Sequence, residues 1–236
     1  MIRVTSVRFF LTVAPSPAWM RIGFLLVVIV GVAGLILDGR EVDSAFGMTL
    51  FLQMFSASNG FAREASRGWF DPLLVSGRSR PAIGGANLAA AAWPGAMAWC
   101  AVSAVALAAG GLAREAVLAP NRHLSFVLVT ACAWSAGLAL PRFAAGALWS
   151  ALLVGLALSR DAAATIMPAL HETPRGALEI AKLTGFFAVC PFLLLDRTAA
   201  AADTRVWIAV GALAFTVAAL AVRRVQKREY TLVEGE

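Results

Sequence analysis

Long uncharged runs constrain this chain more than any other feature. MRIGFLLVVIVGVAGLILD, residues 20–38, holds no ionisable side chain between Arg21 and Asp38. Comparable blocks follow at 44–61, 83–110, 124–140, 143–159 and 204–222. Runs of roughly 17–25 apolar residues match the helix length that crosses a ~30 Å hydrocarbon core. The chain is 60% hydrophobic and 14% charged, against about 45–50% and about 25% in soluble domains. A soluble fold would have to bury several helices that are apolar all round in one small core. Strand alternation and regular turn spacing are absent, which excludes a membrane barrel. The expected fold class is an all-α polytopic membrane protein with six transmembrane helices in one domain, 1–236.

The regions between the blocks complete this division. Residues 1–19 read as an interfacial segment, because their apolar run is short and interrupted by Arg8. GLAREAVLAPNRH, 111–123, reads as a polar connection, and Pro141-Arg142 as a tight turn. Residues 160–203 form an irregular outer region, and 223–236 a polar tail. FFAVCPFLLL, 186–195, contains Pro191 and is too short to cross. It is expected to re-enter or lie at the interface.

The net charge is +6, and of the 20 basic residues all but Lys182 and Lys227 are arginine. Most lie beside block ends, where they orient helices, so nucleic acid is not the expected partner. With both termini inside, the cytoplasmic pieces take Arg3, Arg8, Arg21, Arg63, Arg67, Arg78, Arg80, Arg142, Arg223, Arg224, Lys227 and Arg228. The remaining bases fall outside, interleaved with acids. The bias favours an N-in, C-in arrangement. A seventh crossing would export the basic tail.

Residues 63–80, REASRGWFDPLLVSGRSR, are too charged for a span and too apolar for a plain loop. Asp71 and Pro72 suit an N-cap and first helical position, and Gly77 suits a stop. Pro72 cannot continue a helix through Gly68. The second span is therefore expected to extend past the membrane, bend near Gly68 and lead into a short helix. Phe70, Leu73 and Leu74 share one face of it, and Trp69 is an interfacial residue. That face fits lipid headgroups or another protein.

TPRGALEIAKLTG, 173–185, carries similar punctuation: Thr173 to cap, Pro174 to begin and Gly185 to end a helix. Arg175, Glu179 and Lys182 form a polar stripe along it. An amphipathic helix on the outer side is expected. Within the second span, Gln53, Ser56 and Asn59 share a face at three-residue spacing. Polar groups there seek a neighbouring helix or an aqueous path.

Other chemistry is missing from the sequence. His123 and His171 are the only histidines, and both fall in outer connections. Cys100, Cys132 and Cys190 have no metal-ligand spacing and read as small buried hydrophobes. There is no HExxH, GxSxG or phosphate-loop motif, so no catalytic or metal-binding residue is expected. The spans hold almost no ionisable groups, which argues against proton- or sodium-driven transport.

This pattern resembles the membrane subunits of type-2 ATP-binding-cassette exporters. Glu64, Gly68, Trp69, Phe70, Asp71, Leu73, Leu74, Gly77 and Arg80 are similar to that family's connection between spans two and three. Pro174, Leu178, Ile180, Ala181, Leu183 and Gly185 are similar to its re-entrant outer hairpin between spans five and six. The resemblance implies that 63–80 is a cytoplasmic coupling helix. Glu64, Arg67, Gly68, Trp69, Phe70, Asp71, Leu73, Leu74 and Arg80 would dock a separate ATPase subunit. Gln53, Ser56 and Asn59 would lie along a translocation pathway, and Pro174, Arg175, Glu179 and Lys182 on the outer re-entrant helix. It further implies two ATPase copies, a second permease copy or paralogue, and the bacterial cytoplasmic membrane. ATP and Mg would sit on the partner, and this chain would bind no cofactor and perform no covalent chemistry. Two alternatives remain open: a non-transporting membrane anchor that docks a soluble partner, and a lipid-modifying enzyme, for which no nucleophile or metal set is present.

Overall fold

The computed structural model describes residues 18–37, 42–66, 75, 77–139, 176–189, 194 and 203–227. Helix is the dominant element, and no strand occurs among the described residues. The helices are α1 (Ala18–Leu37), α2 (Val42–Ser66), α3 (Arg80–Ala109), α4 (Gly111–Leu118), α5 (Pro120–Ala139), α6 (Ala177–Val189) and α7 (Thr204–Lys227).

The expected first, second, third, fourth and sixth spans correspond to α1, α2, α3, α5 and α7. The expected fifth span, 143–159, lies outside the described residues. By length and composition, α3 and α7 are each able to cross a membrane. The pair α4 and α5, bent by 53° at Ala119, makes a third if counted as one broken span. The chain thus has the helices of a membrane protein. The apolar stretch of α1, Ile22–Leu37, is shorter than a span. α2 has ample length at 25 residues, but its buried face carries Thr49, Gln53, Ser56 and Ser58.

Packing divides into two clusters that share α5. The larger joins α1, α2, α3, α4 and α5 around Phe46, Leu50, Ile83, Trp99 and Trp134, and also takes in Ala221 of α7. The smaller joins α5, α6 and α7 around Leu128, Phe187, Leu194, Val206 and Val210. α5 is consequently buried from two sides, while α1 keeps Ile22, Leu25, Leu26 and Ile29 exposed along its outer face. In a bilayer such a face meets acyl chains, which are as apolar as the side chains themselves.

Two glycines permit the closest helix approaches. A Cβ on Gly137 would collide with the carbonyl oxygen of Ser58, which brings α5 against the backbone of α2. A Cβ on Gly95 would lie 2.8 Å from both Cβ and Cδ of Gln53, so α3 accepts that side chain only because position 95 has none. These are the small-residue contacts through which membrane helices pack.

The expected polar connection at 111–123 is corrected by α4 and by the start of α5. Ala113, Ala116 and Val117 are buried on one side of α4, with Arg114 and Glu115 exposed on the other. Gly110 and Gly111 have φ of 73° and 52°, so the chain turns between α3 and α4 where a side chain would be strained. The expected helix limits at 173–185 are also corrected. α6 begins at Ala177, with the carbonyl of Gly176 accepting from the Glu179 and Ile180 amides at 3.2 and 3.3 Å. It continues through Gly185 to Val189, because Leu183 and Phe187 bury together in the smaller cluster. That burial outweighs the ~1 kcal/mol cost of a glycine within a helix.

Candidate functional site

Three consecutive residues in the first turn of α5 each fasten it to a different part of the fold. Asn121 Nδ2 donates to the Leu194 carbonyl at 2.6 Å. Arg122 pairs through Nη2 with Asp43, in the first turn of α2. His123 bonds α3 and α4. The Trp99 indole N–H donates to His123 Nδ1 at 3.1 Å, and His123 Nε2 meets the Val117 carbonyl at 2.8 Å. An indole nitrogen only donates, so Nδ1 accepts and Nε2 carries the proton. The ring is neutral in this arrangement, because a proton on Nδ1 would face the indole N–H.

Arg122 is the least expected member. Its side chain is 1% exposed, whereas that of Asp43 is 41% exposed. The guanidinium carbon lies 5.5 Å from the Phe46 ring centroid, over the ring. Phe46 in turn packs against Trp99, with ring centroids 4.4 Å apart and planes tilted by 52°, and Trp99 lies 5.2 Å from Phe126. Cation–π attraction strengthens when a cation is withdrawn from water. Arg122 Nε and Nη1 are buried without a hydrogen-bond partner among the described residues. An ionisable group buried in a membrane protein is costly and marks a functional site by default.

A second polar layer crosses the same three-helix core. Gln53 Nε2 donates to Thr130 Oγ1 at 3.0 Å, and the Thr130 hydroxyl donates to the Phe126 carbonyl at 2.8 Å. Ser56 donates to the Ala91 carbonyl at 2.9 Å, and Trp134 to Asn87 Oδ1 at 2.9 Å. These bonds join α2 to α5, α2 to α3 and α5 to α3. We predict an asymmetric response here. Thr130→Val removes the acceptor of a fully buried amide and costs about 1–3 kcal/mol. Gln53→Leu leaves Thr130 satisfied within its own helix and costs less. Unfolding of the purified single and double variants checks this, with the double variant recovering part of the Thr130→Val loss.

The sequence-expected residues fall in several places. Gln53 and Ser56 are buried and bonded to neighbouring helices, and the side chain of Asn59 lies outside the described set. Glu64 is in the last turn of α2, where only the backbone is described. Arg67, Gly68, Trp69, Phe70, Asp71, Leu73 and Leu74 lie outside the described residues, as do Pro174 and Arg175. Gly77 adopts φ 74°, the left-handed conformation of helix stops. Arg80 opens α3 and is exposed, with Pro81 in the first turn. Glu179 and Lys182 are exposed on α6. Cys100 is exposed rather than buried, Cys132 is half-buried, and Cys190 lies outside the described residues.

The triplet Asn121-Arg122-His123 was not legible as a site, because polar residues after a proline read as loop. No group of three or more metal-ligating side chains occurs among the described residues. Comparison with protein-family models, curated proteins and solved structures returns no match.

Proposed function

We propose that the chain is the membrane-spanning permease subunit of an ATP-driven transporter of the exporter type. It would cross the membrane six times with both termini in the cytoplasm. It would work as a pair, with an identical or paralogous copy, beside two separate ATPase subunits that hold ATP and Mg. One observation carries this reading: α2 continues through Glu64 to Ser66, and the chain restarts as α3 at Arg80 after the left-handed Gly77. A long helix thereby delivers a connection of mixed charged and apolar character, the kind of segment through which a soluble motor pushes on a membrane helix. Residues 64–80 are the docking surface in this reading, with Glu64, Arg67, Phe70, Asp71, Leu73 and Leu74 making the contacts.

The second reading is a membrane anchor that docks a soluble partner without transport. It is favoured by Gln53 Nε2 and the Ser56 hydroxyl, which are each taken up by a neighbouring helix of the bundle. Co-purification with a candidate ATPase that carries a phosphate-binding loop separates the two. Under the permease reading, Leu73→Asp combined with Leu74→Asp abolishes capture of the ATPase and ATP-driven transport, while membrane insertion is unchanged. Intact docking and transport in the inserted double variant would overturn the coupling assignment. Capture of a partner without any ATP-dependent flux in the wild type would establish the anchor.

A further inference from the structure

We propose that Arg122 anchors an oxyanion-binding site, in which a carboxylate or phosphate group takes the place of Asp43 on the guanidinium. The site lies at the end of the bundle opposite the 67–79 connection, since it is built from the first turns of α2 and α5. It does not depend on the permease reading.

The argument begins with unmet hydrogen bonding. A guanidinium presents five N–H donors in a planar fork suited to bidentate oxyanions. Here one nitrogen, Nη2, meets Asp43, while Nε and Nη1 are buried without partners among the described residues. Leaving such donors unsatisfied is unfavourable, and a single carboxylate oxygen does not use the fork. The guanidinium is held in place by Phe46 beneath it, so its direction does not depend on Asp43 alone.

Electrostatics points the same way. Arg122 sits in the first turn of a 20-residue helix, whose N-terminus is a partial positive charge and a recurrent anion site. The C-terminal end of α4 would oppose this, but α4 is bent 53° from α5, and its Val117 carbonyl is already engaged by His123. His123 adds no charge while it accepts from Trp99. Among the described residues Asp43 is the acid paired with Arg122, and Glu115, on the exposed side of α4, is turned to solvent.

Access runs through Asp43. Its side chain is 41% exposed although the Oδ1 on Arg122 is buried, so rotation carries that oxygen into solvent, where the buried guanidinium cannot follow. Asp43 is then a resident stand-in for the incoming anion. Exchange would free α2 from α5 at this end, so occupancy and helix separation are linked.

The test uses the full-length chain with two probes that share this chemistry. In neutral detergent, inorganic phosphate is titrated while thermal unfolding is followed. In parallel, the chain is reconstituted in phosphatidylcholine vesicles with and without phosphatidylglycerol. The expected result is a saturable rise in melting temperature of several degrees with at least one probe. A response to phosphate identifies a soluble ligand, and a response only to phosphatidylglycerol identifies a lipid headgroup. Asp43→Asn, which removes the competing carboxylate, should tighten the apparent Kd about tenfold or more. Arg122→Gln should abolish the response. Arg122→Lys, which keeps the charge and loses the planar fork, should weaken it and serves if the glutamine variant does not fold. No saturable response in either wild type or Asp43→Asn overturns the proposal, as does an undiminished response in both Arg122 variants.

Discussion

Replacing Gly137 with alanine destabilises the protein by about 3 kcal/mol, the upper part of the usual range for overpacked cores. The new Cβ would collide with the Ser58 carbonyl oxygen and lie 3.0 and 3.3 Å from the Ser58 carbonyl carbon and Cα. These are backbone atoms of α2, so no rotamer change relieves the contact and the helices must part. Helix propensity alone predicts the opposite sign, a gain of about 1 kcal/mol for alanine over glycine. Gly211→Ala supplies the control, because its Cβ would meet only Leu124 Cδ2 at 3.6 Å, an ordinary contact. That variant is expected to match the wild type or exceed it by up to ~1 kcal/mol. Thermal or detergent-driven unfolding of the two purified variants makes the comparison. Equal effects would refute the close approach of α2 and α5.

Asp43→Ala and Arg122→Met are expected to differ although they break the same ion pair. Removing Asp43 strands a guanidinium that is 1% exposed, and an uncompensated buried charge costs about 3–5 kcal/mol. The lower end applies, because Asp43 itself is 41% exposed and its charge is partly screened. Arg122→Met keeps an apolar stem of similar length above Phe46 and leaves a carboxylate that water can reach. Its cost is expected within about 1 kcal/mol, since apolar replacement of buried ions is often neutral. Unfolding curves of both variants at low and high salt provide the measurement. Equal losses would show that Arg122 does not bear the larger desolvation cost. High salt should narrow the asymmetry, because an anion that reaches Arg122 offsets the charge that Asp43→Ala leaves behind.

The helices of this fold were readable where length alone decides. Uninterrupted apolar runs located α1, α2, α3, α5 and α7 to within a few residues. α4 was missed because its residues are mixed in polarity. Its signal was present in Ala113, Ala116 and Val117, which repeat at helical spacing behind two glycines. The terminus of α6 was misplaced because a glycine was allowed to stop a helix whose next residues, Phe186 and Phe187, had somewhere to pack. The candidate site was the least legible part. Arg122 counts in the sequence as one more outer base, and Asp43 as one more loop acid. Their pairing depends on two helices meeting at a distance of many residues along the chain, and local pattern carries no trace of that. Gln53 and Ser56 were visible as a polar stripe, but only packing reveals which helix answers each of them.

The sharing of α5 between two clusters has a consequence for the order of biosynthesis. Asp43, Trp99 and Val117, the partners of Arg122 and His123, all precede α5 in the chain. Leu194, the partner of Asn121, and the α6 and α7 residues of the smaller cluster all follow it. A nascent chain that has reached Ala139 therefore already contains both partners of the ion pair, the indole–imidazole bond and the Gln53–Thr130 bond. The face of α5 bearing Leu128 and Ala131 is still bare at that moment. α5 thus has most partners of one side upstream of it and an open template on the other, with Ala221 of the larger cluster still to come. The later helices are laid onto that template as they leave the ribosome.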